Sequence, residues 1–254
     1  MGYDHQRIKS NARLFYKNNT GNSIVSLLIV IGVSMGASYA LSLILLIFAG
    51  VAGVSVGAVS TPEAGMTIGY IVYMVFNYAL SLAAGLAMYP LTMGLMGWYR
   101  KTIYQKTSFG EIFTPYKPPH LWSNIGTGLL MAVKVWLWTL LLIIPGIIKT
   151  YSYSQTMYIK AENPNISPSR AIELSKIMMN GHKWDIFYLH LSFLGWNILS
   201  AFTFGILAIV YVFPYYNAAL AFAYEEIKAD AAARSVIDIR EINPNFYSGE
   251  IYPQ

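Results

Sequence analysis

The chain contains no cysteine and few charged residues. Without cysteine it has no disulfide framework, no thiolate metal site and no cysteine nucleophile. Charged residues make up 11% of the 254 residues, whereas soluble domains carry about a quarter. Hydrophobic residues reach 56%, and the mean hydropathy is +0.46. This composition excludes an ordinary soluble domain and indicates an integral membrane protein.

Motifs that carry chemistry are also missing. The four histidines lack the paired spacing of metal ligands, and no phosphate-binding glycine loop or nucleophile triad is present. Glu225 and Glu226 look like a carboxylate pair, but neighbouring residues on a helix diverge by about 100°. We therefore interpret them as surface or inter-helix partners of basic residues, and we predict no catalytic residue, metal site or cofactor.

The net charge of +5 does not indicate nucleic-acid binding here. The basic residues flank apolar stretches, where they set the orientation of a membrane protein and meet anionic lipid headgroups. Membrane lipids are accordingly the predicted partners, with a protein partner or a homo-oligomer as further options.

Long uncharged stretches indicate several membrane spans. The first, Asn18–Pro62, has 45 residues. It is far longer than the roughly 7–15 apolar residues of a signal peptide, so it is predicted to be retained. Between Asp185 and Glu225 lie 39 uncharged residues, enough for two spans joined at Thr203-Phe204-Gly205. The predicted membrane segments of this all-α, polytopic bundle are 23–50, 66–99, 122–144, 147–160, 183–202 and 206–227.

The segments outside the membrane have their own patterns. An amphipathic N-terminal helix over 4–18 is expected to lie on the cytoplasmic membrane surface. Its apolar face consists of Ile8, Ala12 and Phe15. The glycine-rich stretch Gly50–Pro62 has no basic residue and is predicted as an outside loop. A cytoplasmic amphipathic helix is predicted over 167–180, with Ser167 as N-cap and Gly181 past its end. The polar C-terminal tail is predicted over 228–254.

Pro145-Gly146 decides the topology of the second half. Proline removes a helical hydrogen bond and glycine allows reversal, so that 147–160 crosses back as a short segment. The alternative is one kinked helix that continues to Ile159. Reversal gives six membrane-embedded segments and places 15 of the 17 basic residues on one inner side, whereas the kinked helix moves four of them outside. The positive-inside tendency therefore favours six segments.

Three motifs resemble a family of bacterial, mostly Gram-positive, multi-pass membrane proteins of unknown function. The motifs are LLIIPGIIKTYSYSQTMYI, ENPNISPSRAIELSKIMMNGHKWD and FPYYNAALAFAYEEI. A looser resemblance, based on the Pro-Gly break with Ala171 and Ser175, is to the membrane domain of glycerophosphodiester phosphodiesterases. The chain has no phosphodiesterase domain, so these resemblances imply a membrane fold and no activity.

Polar residues inside the predicted spans are the candidates for a ligand site. Lys134 lies about halfway through its span, where a charge costs roughly 2.5–3.5 kcal/mol, and is expected to face a polar cavity or partner. Lys149 either lines the same cavity or extends to the outer headgroups. His190 is either functional or a neutral histidine hydrogen-bonded between helices. The predicted ligand-binding set is Lys134, Lys149, Asn77, Gln155, His190, Asn197 and Asn217.

These residues favour a non-enzymatic cell-membrane protein that binds or transports a small amphiphile or lipid. The alternative is a membrane scaffold or accessory subunit that contacts a partner through the helix Ser167–Asn180 and the basic loops. An intramembrane enzyme is the third class. The N- and C-termini are predicted to be cytoplasmic.

Overall fold

The computed structural model describes residues 3–57 and 62–244, and these residues form only helices and turns. The all-α prediction is confirmed. The elements in chain order are α1 (His5–Gly57), α2 (Pro62–Tyr104), a 3₁₀ helix (Phe109–Tyr116), α3 (Leu121–Leu141), α4 (Ile143–Ser152), α5 (Thr156–Glu162), α6 (Pro168–Met178), α7 (Lys183–Leu191), α8 (Leu194–Phe202), a π-helical turn (Ala208–Val212), α9 (Phe213–Ala233) and α10 (Ile239–Ile242).

Three stretches of the described chain are long and apolar enough to cross a membrane. They are His5–Phe48, Tyr70–Tyr104 and Leu121–Leu141. These stretches agree with the membrane assignment made from composition. The later predicted segments fall on shorter helices and on α9, and their crossing stays a prediction.

The described residues separate into two units. One unit is Ile29–Met88, and the other contains the chain up to Leu28 and from Tyr89 onward. Within the first unit α1 and α2 run antiparallel, because Ser34 bonds to Met88 at 3.6 Å and the Phe48 and Phe76 rings lie 4.8 Å apart. The second unit holds every predicted site residue except Asn77.

Helix α1 is longer than the sequence suggests. It continues to Gly57, so the prediction of a loop over Gly50–Pro62 is wrong for the first part of that stretch, and residues 58–61 lie outside the described residues. The predicted N-terminal helix and the first predicted span join within α1, where only Asn19 departs from helical geometry (φ −127°, ψ 26°). Glycine and other small residues are well accepted in apolar helices, so the glycine-rich composition of this stretch did not require a loop.

The apolar face at the beginning of α1 is buried by protein. The members of this face are Ile8, Ala12 and Phe15. The Phe15 and Phe222 rings lie 6.3 Å apart, and Arg7 Nη2 lies 2.9 Å from Glu226 Oε1. The face was correctly predicted, but it packs on α9 and is not free to lie on a membrane surface.

The chain reverses after α3, three residues earlier than the Pro-Gly step. Leu142 is extended (φ −160°, ψ 141°), a conformation that needs no glycine. The reversed chain then follows α3, since Gly146 packs on Thr139 and Lys160 Nζ lies 2.9 Å from Ser123 Oγ. Helix α4, the turn at 153–155 and helix α5 together occupy 143–162, so the returning segment is longer than the predicted 147–160.

Pro145 and Gly146 therefore lie inside α4. Pro145 occupies the first turn, where a backbone N–H has no intrahelical acceptor, so proline costs little. Gly146 is buried and helical, and no positive φ is recorded there. The expectation of a turn built on Gly146 is wrong, because an extended leucine makes the turn instead.

Helix α6 begins at the predicted N-cap and ends two residues before the predicted end at residue 180. Ser167 Oγ accepts a hydrogen bond from Arg170 N at 3.3 Å, and Pro168 is the first helical residue. Gly181 has φ +97°, which suits a glycine just past a helix end.

The last predicted hairpin is present with two changes. Phe204 (φ 49°) and Gly205 (φ 81°) form its turn, as expected. The predicted segment 183–202 is broken into α7 and α8. Helix α9 runs to Ala233 and buries Lys228, so a polar tail from residue 228 is wrong at its start. Residues 245–254 of that tail lie outside the described residues.

Candidate functional site

A buried ion network joins α2, α5 and α9. Arg100 Nη1 lies 3.2 Å from Glu162 Oε1 and 3.3 Å from Glu225 Oε1. Lys228 Nζ lies 2.9 Å from each of the same two carboxylates. Tyr224 donates its hydroxyl to Glu162 at 2.6 Å. The network contains two positive and two negative side chains. The net charge of the buried ion network (Arg100, Glu162, Glu225, Lys228) is therefore zero.

The adjacent residues Glu225 and Glu226 form ion pairs with different basic residues. Glu225 faces Arg100 and Lys228, whereas Glu226 accepts from Arg7 Nε at 2.9 Å. This confirms the interpretation that they are partners of basic residues and share no site. Both glutamates act as inter-helix contacts for α9.

Lys160 is fully buried without a carboxylate. Its ammonium donates to Ser123 Oγ at 2.9 Å, to the Pro164 carbonyl at 2.9 Å and to the Ile166 carbonyl at 2.8 Å. All three ammonium hydrogens have acceptors, and they tie the loop after α5 to the start of α3. Lys160 therefore has no donor left for a ligand.

His182 links the α6–α7 connection to α9. Its Nδ1 lies 2.8 Å from Asp185 Oδ2, and its Nε2 lies 2.9 Å from Asp230 Oδ2. The hydrogen bond from His182, with a further contribution from Arg234, keeps the pKa of Asp230 below its usual value. The acidic groups of this region are thus already paired. No group of three or more acidic or histidine residues in the described chain could hold a metal ion.

Lys134 and Lys149, here called the hairpin lysines, differ from these groups. Neither has a hydrogen bond or an ion pair to any described residue, and both are half-buried. Lys149 Nζ lies 4.5 Å from the centre of the Trp138 ring, and Lys134 lies one helical turn before Trp138 on the same face of α3. Lys149 therefore contacts the indole, and neither lysine has a carboxylate partner among the described residues.

The hairpin lysines lie below an apolar tip. The tip residues are 67–71% exposed; they are Leu140, Leu141, Leu142, Ile143 and Ile144. Lys134 and Lys149 are eight and seven residues from Leu142, about 10–12 Å at 1.5 Å per residue. The two lysines thus lie about two helical turns from an exposed apolar tip.

Two more of the predicted residues have partners nearby. The buried Gln155 donates to Ser154 Oγ at 3.0 Å, and its Oε1 has no hydrogen-bond partner among the described residues. His190 Nδ1 lies 3.4 Å from the Tyr151 hydroxyl and its ring contacts Tyr216. His190 is therefore bonded between helices, as the second alternative for it expected.

The three asparagines have no hydrogen bond to the hairpin lysines among the described residues. Asn217 donates to Phe213 O in its own helix, and Asn197 is exposed on α8. Asn77 belongs to the α1–α2 unit, where it bonds to Tyr73 at 3.5 Å. No hydrogen bond joins any two of the seven predicted residues within the described chain. A described pocket beside Lys101, Glu111 and Lys160 contains none of them.

The comparisons agree with the resemblance seen in the sequence. A family model described as "Protein of unknown function (DUF975)" matches residues 121–231. This range begins with α3 and ends in α9, so it contains the hairpin lysines. No curated protein and no solved structure matches the chain. The likeness is thus to an uncharacterised family, and any function must be argued from the residues.

Sequence reasoning missed the role of Glu162. It is the only acidic residue between Glu111 and Glu173, and an acid isolated in a mostly apolar stretch needs a buried partner. The isolated position of Glu162 could therefore be recognised in the sequence. Its partners could not be identified there, because Arg100 and Lys228 lie 62 and 66 residues away in the chain.

Proposed function

We propose that the protein is a non-enzymatic, multi-pass protein of the bacterial cell membrane that binds an anionic amphiphile at the hairpin lysines. The observation that carries this proposal is Lys149 over the Trp138 ring, with Lys134 one helical turn before Trp138. Neither cation has a carboxylate partner among the described residues. A membrane scaffold is the alternative.

The cost of these cations argues for an anionic ligand. An unpaired lysine inside a membrane helix costs about 2.5–3.5 kcal/mol on insertion scales. The buried ion network avoids this cost by pairing every charge. The hairpin lysines have no carboxylate partner among the described residues. An anion that binds to them therefore offsets part of this cost.

The apolar tip argues that the anion is part of an amphiphile. Beyond the lysines the surface consists of exposed leucine and isoleucine side chains. A headgroup at Lys134 and Lys149 leaves an acyl chain against that surface, where burial contributes about 25 cal/mol per Å². A small hydrophilic anion gains nothing from the tip.

The binding prediction uses Trp138 as a reporter. A brominated fatty acid added to the detergent-solubilised protein is expected to quench Trp138 fluorescence, measured as the difference from Trp138→Phe. In the double variant Lys134→Gln/Lys149→Gln the apparent affinity should fall by about tenfold or more, because each cation near a membrane surface contributes about 1 kcal/mol. The matched control is Lys106→Gln/Lys117→Gln, which removes the same charge from the loop before α3. Equal quenching in both double variants would remove the proposal and favour the scaffold.

We also propose six membrane-embedded segments with both termini cytoplasmic. The proposal is supported by the reversal at Leu142 and by the turn at Phe204-Gly205. Each turn returns the chain to the side on which the basic residues lie, as the positive-inside tendency requires.

Single cysteines test this topology in a chain that has none of its own. Phe204→Cys is expected to react with an impermeant thiol reagent added from outside the cell. Ser108→Cys and Glu173→Cys, both exposed, are expected to react only after permeabilisation. Reaction of Glu173→Cys in intact cells would contradict the six-segment arrangement.

A further inference from the structure

One histidine near the end of α9 lies between two carboxylates. His182 follows Gly181 in the connection between α6 and α7, and its side chain is only 12% exposed. Its Nδ1 lies 2.8 Å from Asp185 Oδ2 in the first turn of α7, and its Nε2 lies 2.9 Å from Asp230 Oδ2 in α9. Both are hydrogen-bond distances. We call His182, Asp185 and Asp230 the histidine clasp.

The number of protons on the ring decides how many of these contacts are hydrogen bonds. A neutral imidazole carries one N–H and one lone pair, whereas an imidazolium carries two N–H donors. An ionised carboxylate only accepts. The lone pair of a neutral His182 would therefore face a carboxylate oxygen, which is a repulsive contact. Only the protonated ring makes both hydrogen bonds of the histidine clasp.

The shared proton belongs to the ring and not to a carboxyl group. Arg234 Nε lies 2.7 Å from Asp230 Oδ2. The pKa of Asp230 is held below its usual value, first by the hydrogen bond from His182 and then by the charge of Arg234. Asp185 has only histidines as ion-pair partners in the described chain, namely His182 and, at 3.7 Å, His5 Nε2. Both carboxylates are thus ionised acceptors that favour a positive ring.

The other titratable groups around the ring do not supply a second donor. The Tyr3 ring lies 5.8 Å from the His182 ring, and burial keeps the pKa of Tyr3 above its usual value, so its hydroxyl stays neutral. Glu226 is paired with Arg7 at 2.9 Å. Lys183, which follows in α7, has no ion pair among the described residues. The occupancy of the clasp therefore depends on the His182 proton.

Loss of this proton removes the contact between two helices. Asp230 keeps Arg234 as a partner, whereas Asp185 keeps only His5, beyond hydrogen-bond distance. A neutral His182 is therefore expected to keep its hydrogen on Nδ1, for Asp185 in its own segment. The hydrogen bond that disappears is the one from Nε2 to Asp230, which joins the start of α7 to α9.

We propose that His182 is a proton-binding site that controls the attachment of the α6–α7 connection to α9. Histidine is the side chain whose charge changes between about pH 5 and about pH 8, and the carboxylates stay ionised over that range. The histidine clasp is therefore complete at the acidic end and loses one hydrogen bond as the pH rises. Arg234 still donates to Asn180 O at 3.2 Å, so the release is local to the start of α7. The hairpin lysines take no part, and this inference is independent of the proposed function.

The first measurement is the melting temperature in detergent from about pH 5.5 to about pH 8. The wild type should lose about 2–4 °C more over this range than His182→Gln, which has no titrating ring at this position. The matched control is His120→Gln, because the His120 ring has no hydrogen bond or ion pair in the described part of the chain. It should keep the pH dependence of the wild type, and His5→Gln should keep most of it.

The variant Asp185→Asn separates proton binding from a purely structural contact. An asparagine amide can donate to Nδ1 of a neutral ring, so that Nε2 keeps its hydrogen for Asp230 without a bound proton. Asp185→Asn should therefore lose the extra pH dependence and melt no lower than the wild type at the alkaline end. A purely structural contact predicts the opposite, namely a lower melting temperature at every pH and an unchanged pH dependence. That result would overturn the inference.

The second measurement observes the proton directly. In nitrogen NMR spectra of histidine-labelled protein, the His182 ring is assigned by comparison with the histidine variants. Its two nitrogens should both be protonated at the acidic end, and one should lose its proton over the range in which the wild type loses stability. A His182 ring that is neutral throughout overturns the inference, as does equal pH dependence of melting in the wild type and His182→Gln. Loss of the dependence in His5→Gln alone would assign the proton to His5.

Discussion

Gly146→Val is expected to destabilise the protein more than any other single substitution in the α3–α4 hairpin. A Cβ at this position would lie 2.2 Å from Thr139 Oγ1 and 2.8 Å from Thr139 Cα. A rotamer change relieves the first contact, but the second is with backbone, so the two helices must separate. Overpacking of this kind typically costs about 1–3 kcal/mol and occasionally more. The measurements are the melting temperature in detergent and the amount of folded protein in the membrane.

Three controls identify the cause. Gly146→Ala should already destabilise, since the clash begins at Cβ. Gly126→Ala, in α3 with nothing within 4 Å of its Cβ, should be neutral. Pro145→Ala should change little, because Pro145 lies in the first turn of α4. A Gly146→Ala variant that melts like the wild type would mean that the helices do not approach at this point.

Glu162→Gln is the other substitution with a large expected effect. Its side chain is 1% exposed and neutralises both Arg100 and Lys228. Removing its charge leaves two buried cations facing Glu225 alone, and breaking a buried ion pair in this way costs about 3–5 kcal/mol. The free energy of unfolding, measured in detergent, should fall accordingly.

A double variant tests the network directly. Glu162→Gln combined with Lys228→Met leaves Arg100 opposite Glu225, so charge balance returns and the loss should be smaller than the sum of the two single losses. Glu173→Gln is the matched control, because Glu173 is 58% exposed in its pair with Arg170 and should cost less than about 1 kcal/mol. Additive losses in the double variant would show that the charges are independent.

Local patterns predicted local structure well. The N-cap at Ser167, the glycine after α6 and the turn at Phe204-Gly205 each depend on a few neighbouring residues, and each is present. Reversal near Pro145 was inferred from the distribution of basic residues along the chain. The residue that turns was not predictable, because extended geometry is available to leucine as readily as to most residues.

Tertiary partners were not predictable in the same way. The buried face of α1 was correctly identified, but a helical period cannot distinguish a membrane from α9 as its cover. Among the candidate site residues, Lys134 and Lys149 have no hydrogen-bond or ion-pair partner in the described residues, whereas Gln155 and His190 have hydrogen-bond partners inside the protein. Whether a polar side chain has a hydrogen-bond partner inside the protein depends on packing between helices that are distant in the chain. A single sequence does not contain that information.

The packing of α9 on the apolar face of α1 has a consequence for biogenesis. Arg7 and Glu226 are 219 residues apart in the chain, and the Tyr215 hydroxyl bonds to Lys9 O across 206 residues. During synthesis from the N-terminus, the apolar face of α1 is therefore made first and covered last. Through nearly the whole of translation it must be shielded by the membrane surface or by an insertion factor, since exposed apolar surface on a nascent chain promotes aggregation. Truncation before α9 should leave every upstream helix intact in sequence and still yield a chain that the cell's quality control degrades.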